Sequence, residues 1–174
     1  IQVIESIITK PQIVSGGGGF YFCGGDSVMV YVSDQPGLQY QWSTGGSDTS
    51  LVAKNPGWYY VVSSDTNGCS KSSDSVFVIE SIPVIPQINF SGTPVICPYD
   101  SFPISVSSLA GYTYTWSNNF TGDSLFLQAG GEYYLYATDS FGCVALSDTI
   151  TVEKSQLTQP VLYSAGVAAL CYGD

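Results

Sequence analysis

The chain has no histidine, and its 174 residues carry only four basic side chains, Lys10, Lys54, Lys71 and Lys154, with no arginine among them. Without histidine the commonest general base and proton shuttle is missing. No Gly-x-Ser-x-Gly, phosphate-loop or His-Glu-x-x-His pattern stands in for it. Paired carboxylates can hydrolyse glycosides, but the acids here sit in loops and at strand starts and recur as structural landmarks do. No enzyme and no cofactor are expected. Four basic against 14 acidic residues give a formal net charge of −10. That balance lacks the positive footprint nucleic acid requires and disfavours an anionic membrane surface. Also absent are an apolar run of about 18 residues that could cross a membrane, a signal-peptide pattern at the start, and any segment with sustained helical periodicity.

What the chain has in abundance is repetition. Cys23-Gly24-Gly25-Asp26-Ser27-Val28 returns as Cys97-Pro98-Tyr99-Asp100-Ser101-Phe102 and opens again as Cys171-Tyr172-Gly173-Asp174, with 74 positions between successive cysteines. Trp42 and Trp116, Gly57 and Gly131, Tyr59 and Tyr133, and Cys69 and Cys143 keep the same offset. A period held without insertion means copies of one small folded unit. The expected organisation is 1–8 as the last strand of a preceding unit, because Val3-Ile4-Glu5-Ser6-Ile7 echoes Val78-Ile79-Glu80-Ser81-Ile82. Residues 9–82 and 83–157 are then two complete units, and 158–174 begins a third, truncated one.

Units of this size are near the lower limit for a self-sufficient core, and each complete copy contains two cysteines that could staple it. Pairing Cys23 with Cys69, and Cys97 with Cys143, closes loops of 46 residues, an entropic stabilisation of about 4 kcal/mol each. A metal site is the weaker alternative, because there is neither histidine nor Cys-x-x-Cys. Disulfides imply an oxidising compartment. Cys171 is expected to find its partner in the remainder of the third copy.

The apolar stretches alternate with period two between Gly, Pro, Asn, Asp and Ser, the pattern of half-buried antiparallel strands. Val28, Val30 and Val32 share one face, as do Phe102, Ile104 and Val106. Tyr40 and Trp42 share another with Tyr114 and Trp116 as counterparts, and Tyr59 with Val61 is matched by Tyr133 with Leu135. Trp42, Trp116, Tyr59 and Tyr133 are therefore the expected core. Asn67-Gly68 reads as a type I′ hairpin turn. Many short strands at this spacing point to a two-sheet sandwich.

The order Cys-x-x-Asp-Ser-Val, Tyr-x-Trp-Ser, Gly-x-Tyr-x-Val, Asp-x-x-Gly-Cys and Ser-x-Val-x-Val, followed by a Pro-bounded linker, resembles the Ig-like repeats of large secreted and cell-surface proteins of Bacteroidota. These adhesin-type chains are associated with gliding motility and type IX secretion. The resemblance implies an all-β chain of tandem immunoglobulin-like antiparallel sandwiches, extracellular or on the cell surface, serving as a non-catalytic stalk, fibre or adhesion segment. The partners it implies are neighbouring repeats of the same chain. Surface polysaccharide or copies of the chain itself, joined into a filament by strand addition, form the alternative. Against the antibody pattern, Val61 and Leu135 occupy the place of the core cysteine, which moves the expected disulfides to one rim of each sandwich.

Three further residue sets invite a site. Asp26, Asp65 and Asp74, with Asp100, Asp139 and Asp148, could collect around calcium, although Asx-turns explain acids in such places better. Trp58, Tyr60, Tyr134 and Tyr136 alternate to the outer face, where they either pair across strands or stack on sugars. Ser27, Ser75, Ser124 and Thr149 follow aspartate and precede an aliphatic residue, which resembles the Bacteroidota O-glycosylation acceptor. Asn89 and Asn119 match the N-glycosylation pattern, a pathway the resemblance does not imply.

Overall fold

The computed structural model describes residues 7–156. The expected third unit, with Cys171, lies outside the described residues, as does nearly all of the strand expected over 1–8. Each unit contributes nine strand segments and, among the described residues, no helix.

In the first unit, β1 (Ile13–Ser15), β3 (Val28–Val32) and β5 (Ser50–Ala53) form one antiparallel sheet in the order β1-β3-β5. The opposing sheet is built from β2 (Tyr21–Cys23), β4 (Leu38–Trp42), β6 (Gly57–Tyr59), β7 (Val61–Asp65), β8 (Ser70–Ser72) and β9 (Val76–Ser81). Only Tyr60 separates β6 from β7, and Ser73 to Ser75 separate β8 from β9, so these four segments follow one another as two long strands that pair on either side of one break. The break is sealed by Ser73, whose amide donates to the Val61 carbonyl at 2.9 Å and whose Oγ accepts the Val61 amide at 3.0 Å. The order of this sheet is therefore β2, β9 with β8, β6 with β7, then β4. A three-stranded sheet facing a four-stranded one, with the chain crossing between them after the first strand, is an immunoglobulin-like sandwich.

One departure from a purely antiparallel design is that β2 runs parallel to β9, with Cys23 opposite Ser81. The glycine run at 16–19 carries the chain across the sandwich, so one N-terminal stretch edges both sheets in turn.

The second unit repeats this arrangement. Its sheets are β10 (Ile88–Asn89), β12 (Phe102–Val106) and β14 (Ser124–Leu127) against β11 (Val95–Ile96), β13 (Thr113–Trp116), β15 (Gly131–Tyr133), β16 (Leu135–Thr138), β17 (Val144–Leu146) and β18 (Ile150–Lys154). Strand β11 is again parallel to β18.

Alternation fills the two cores. In β3 the three valines are buried while Met29 and Tyr31 face solvent. Trp42 and Trp116 are fully buried, at 2% and 1% exposure, and each indole N–H donates to a loop carbonyl, that of Asp48 at 2.8 Å and of Gly122 at 2.9 Å. That bond removes the cost of burying the indole's one polar atom. Tyr59 is buried and Tyr133 half-buried; their hydroxyls donate to Asn55 and Ala129 carbonyls.

The hairpin at Asn67-Gly68 is not type I′. Gly68 alone takes positive φ, 84°, and its amide closes the turn on the Asp65 carbonyl, while Asn67 stays on the ordinary side of the map. This is a three-residue loop with a left-handed glycine. Asp65 selects it, because its Oδ1 accepts the amides of Asn67 and Cys69, both at 2.9 Å. Asp139 does the same for Phe141 and Cys143.

Candidate functional site

Strand directions place the cysteines. Cys23 lies opposite Ser81, where β9 ends and the chain leaves the first unit. Tyr59 lies opposite Val76, where β9 starts, and the chain then runs on through β7 away from Ser81 to the hairpin that carries Cys69. Those two stretches put Cys23 and Cys69 on the order of 30 Å apart at a strand rise of ~3.3 Å per residue. A disulfide tolerates a Cα separation of only about 4.4–6.8 Å. The expected pairs Cys23 with Cys69 and Cys97 with Cys143 therefore give way to a different bond. Cys23 is joined to Cys143, with Cα atoms 5.4 Å apart and 120 residues between them. Cys69 and Cys97 are exposed free thiols. Among the described residues no disulfide staples a single sandwich; the bond from Cys23 to Cys143 bridges two.

The bridge is the centre of a small junction. From the first unit come the end of β2, with Tyr21 and Cys23, and the end of β9, with Ser81. From the second comes the hairpin between β16 and β17, with Asp139, Phe141 and Cys143. The rings of Tyr21 and Phe141 meet with centroids 5.0 Å apart, and the Ser81 hydroxyl donates to Asp139 Oδ2. Asp139 thus spends one oxygen on its own hairpin and the other on the neighbouring unit. Burial pushes its carboxyl up, but hydrogen bonds from Ser81 and from the amides of Cys143, Phe141 and Gly142 outweigh this and hold it below the usual aspartate range. The linker adds an anchor, since the Val84 amide donates to the Tyr112 hydroxyl at 3.0 Å. Cys143 itself is 1% exposed.

The other expected sites are placed differently. Asp26 and Asp100 each accept the amide of the following serine, at 2.8 and 2.7 Å, beside Cys23 and Cys97. Asp65 and Asp139 sit in hairpins at the opposite ends of their units. Asp74 pairs with Lys10. No group of three or more acidic or cysteine side chains that could hold a metal occurs among the described residues. The calcium candidates are thus dispersed: the carboxylates of Asp26, Asp65, Asp100 and Asp139 hold turns, Asp74 is taken up by Lys10, and Asp148 is exposed.

Trp58 stacks edge-on against Phe77 across β6 and β9, with centroids at 5.1 Å, and Tyr134 meets Tyr136 at 5.7 Å. Trp58, Tyr134 and Tyr136 therefore each meet another ring, and Tyr60 is exposed. Through its hydrogen bond and charge, Tyr134 also raises the Tyr136 pKa. Ser75, Ser124 and Thr149 are exposed and Ser27 is partly so; Asn89 and Asn119 are exposed. No described helix is long and apolar enough to cross a membrane.

Sequence reasoning missed Ser81, Asp139 as a bridging residue, and the Tyr21–Phe141 pair. Only the strand order could have found them, by showing that the cysteine-bearing hairpin of one unit and the Cys23 end of the previous one lie at facing poles.

No family model and no curated protein matches the chain. Solved structures similar to it include a C-terminal 282-residue fragment of intimin in complex with the intimin-binding domain of the translocated intimin receptor, at a TM-score of 0.48 and 13% identity over 81% of this chain and 63% of that one. Murine CEACAM1b is similar at a TM-score of 0.45 and 14% identity, covering 84% of this chain and 99% of the other. An I-band fragment of titin reaches a TM-score of 0.43 at 12% identity, covering 83% of this chain and 63% of the other. At these identities the likeness is one of fold.

Proposed function

We propose that the chain is a non-catalytic, extracellular structural or adhesion segment, part of a stalk or fibre of a large bacterial surface protein of the Bacteroidota adhesin type, in which consecutive sandwiches are braced covalently. The observation that carries this reading is the bond from Cys23 to Cys143 across the unit boundary. Two units joined by a single linker pivot freely unless their interface is large. A second covalent attachment leaves only rotation about the line through the two points, and the Ser81–Asp139 bond with the Tyr21–Phe141 contact opposes that rotation. Such a joint transmits bending and tension from one sandwich to the next, which is what a spacer needs and a freely jointed chain lacks. The bond also persists best in an oxidising compartment.

Small-angle scattering of the oxidised chain and of its Cys23→Ser variant tests the joint. The variant is expected to keep its far-ultraviolet spectrum, since each core is complete within its own unit, and to show a broader distribution of inter-unit distances. Superimposable scattering from the two proteins would sink the bracing role.

A further inference from the structure

Among the described residues, the two free thiols are the repeat-equivalents of the two bonded ones. Cys97 stands 74 residues after Cys23, and Cys69 stands 74 residues before Cys143. Each is exposed, and each is set in a copy of the pole that forms the existing junction. At the Cys97 pole, β11 lies parallel to the end of β18, and Ser155 holds the position of Ser81, with its amide donating to the Ile96 carbonyl at 2.9 Å. At the Cys69 pole, Asp65 holds the hairpin through the same two amides as Asp139 does.

We infer that the Cys97 pole and the Cys69 pole are mating surfaces for one another, so that a further unit of this repeat docks its Cys69-type hairpin on the Cys97 pole and closes a disulfide like that of Cys23 with Cys143. The inference rests on the reading of the Cys23–Cys143 junction as a joint, and it makes that joint periodic. Every boundary carries one bridge, each unit is tied to both neighbours, and no unit is stapled to itself.

The apolar part of the contact is re-dealt. Tyr21 has Val95 as its counterpart and Phe141 has Asn67, so the ring pair of the existing junction does not recur. The Cys97 pole offers Tyr99 instead, which replaces Gly25. Its side chain is wholly exposed and its backbone sits at a φ of 68°, a conformation that L side chains rarely adopt. A bare aromatic held at this cost beside the thiol is placed to cover an incoming hairpin.

Closing the bond is a two-electron oxidation, and glutathione disulfide is a suitable oxidant. The Cys97 thiolate attacks it and releases one glutathione thiolate. The Cys69 thiolate of the second copy then attacks the Cys97 sulfur of the mixed disulfide and releases the other. Two protein thiols become one disulfide as one glutathione disulfide becomes two thiols.

The test uses the whole chain with Cys171→Ser, treated with glutathione disulfide and resolved without reductant. Mixing its Cys69→Ser and Cys97→Ser forms is expected to give a one-to-one dimer about tenfold faster than either form gives alone, the effect of docking on local thiol concentration. The unmixed chain carrying both thiols should give a ladder of linked copies. Tyr99→Gly is expected to slow the mixed dimer severalfold while leaving the reaction of Cys97 with glutathione unchanged. Equal dimerisation by either single form, or no linked product, overturns the inference. Neither result touches the Cys23–Cys143 joint, which scattering of the monomer tests separately.

Discussion

In the first unit a large ring comes from Phe22 in β2, where the second unit has Ile96; in the second it comes from Phe102 in β12, where the first has Val28. Val30, Ala53 and Val61 become Ile104, Leu127 and Leu135. The polar anchors do not move at all. The tryptophan N–H bonds, the tyrosine hydroxyl bonds near Ser33 and Ser107, the buried serines of the strand breaks and the aspartates of the hairpins recur at equivalent positions. Apolar volume can be redistributed among neighbours so long as the total fills the space. A buried donor or acceptor has one partner in one direction and cannot be redistributed. The two sandwiches thus keep the directional contacts and vary the non-directional ones.

The largest effect expected from this comparison lies at the tryptophans, which combine both kinds of contact. Trp42→Ala and Trp116→Ala each remove a fully buried indole and its bond to a loop carbonyl, at a cost of about 3–5 kcal/mol to the unit concerned. Hydrogen exchange resolved by segment should show one core losing protection while the other keeps it. Loss of protection in both cores together would mean that the units fold as one body.

A smaller effect separates the directional contacts from packing. Ser73→Ala and Ser147→Ala change little volume, yet leave the Val61 and Leu135 amides without the hydroxyl that accepts them inside the sheet. An unmet buried donor costs about 1–3 kcal/mol, and the two losses should be alike despite the different cores around them. Denaturant unfolding of the two variants measures this. A loss in one unit only would show that core filling, and not the anchor, decides the site.

The same distinction explains what could be read from the sequence. Strand identity and the buried face are local properties of alternation, so Val28 to Val32 and Phe102 to Val106 declare the core side directly. Cysteine pairing is not local. A 74-residue period is consistent with a partner 46 residues away in the same unit or 120 residues away in the next, and repeat arithmetic treats the two alike. The choice is made by which poles face each other, through Ser81, Asp139 and two rings, none of which has a distinctive pattern. The hairpin type is hidden from the sequence for a related reason. Asn67-Gly68 favours a type I′ turn in isolation, but the Asp65 carboxylate supplies acceptors that select a longer loop.

The smallest effect concerns Asp139, which serves both its own hairpin and the neighbouring unit. Because the Asp139 pKa is lowered in the folded protein, its contribution is fully present above the ordinary aspartate value of about 3.9 and is lost as pH falls through the lowered value. Protonation weakens its acceptor role toward Ser81 and toward its own hairpin amides. Asp65 holds the same two amides with the carboxylate of a different pole, so the pair separates the hairpin's share from the junction's. In the Cys23→Ser chain, where no disulfide masks the effect, inter-unit distances measured by scattering should broaden further as pH falls below about 4. Asp139→Asn should abolish that acid step and shift the distribution only slightly at neutral pH, because a single partly exposed polar contact is worth little in water. Asp65→Asn should leave the acid step in place. If both variants behave alike, Asp139 contributes only to its own turn, and the junction is held by the disulfide, the Tyr21–Phe141 contact and the Val84–Tyr112 anchor of the linker.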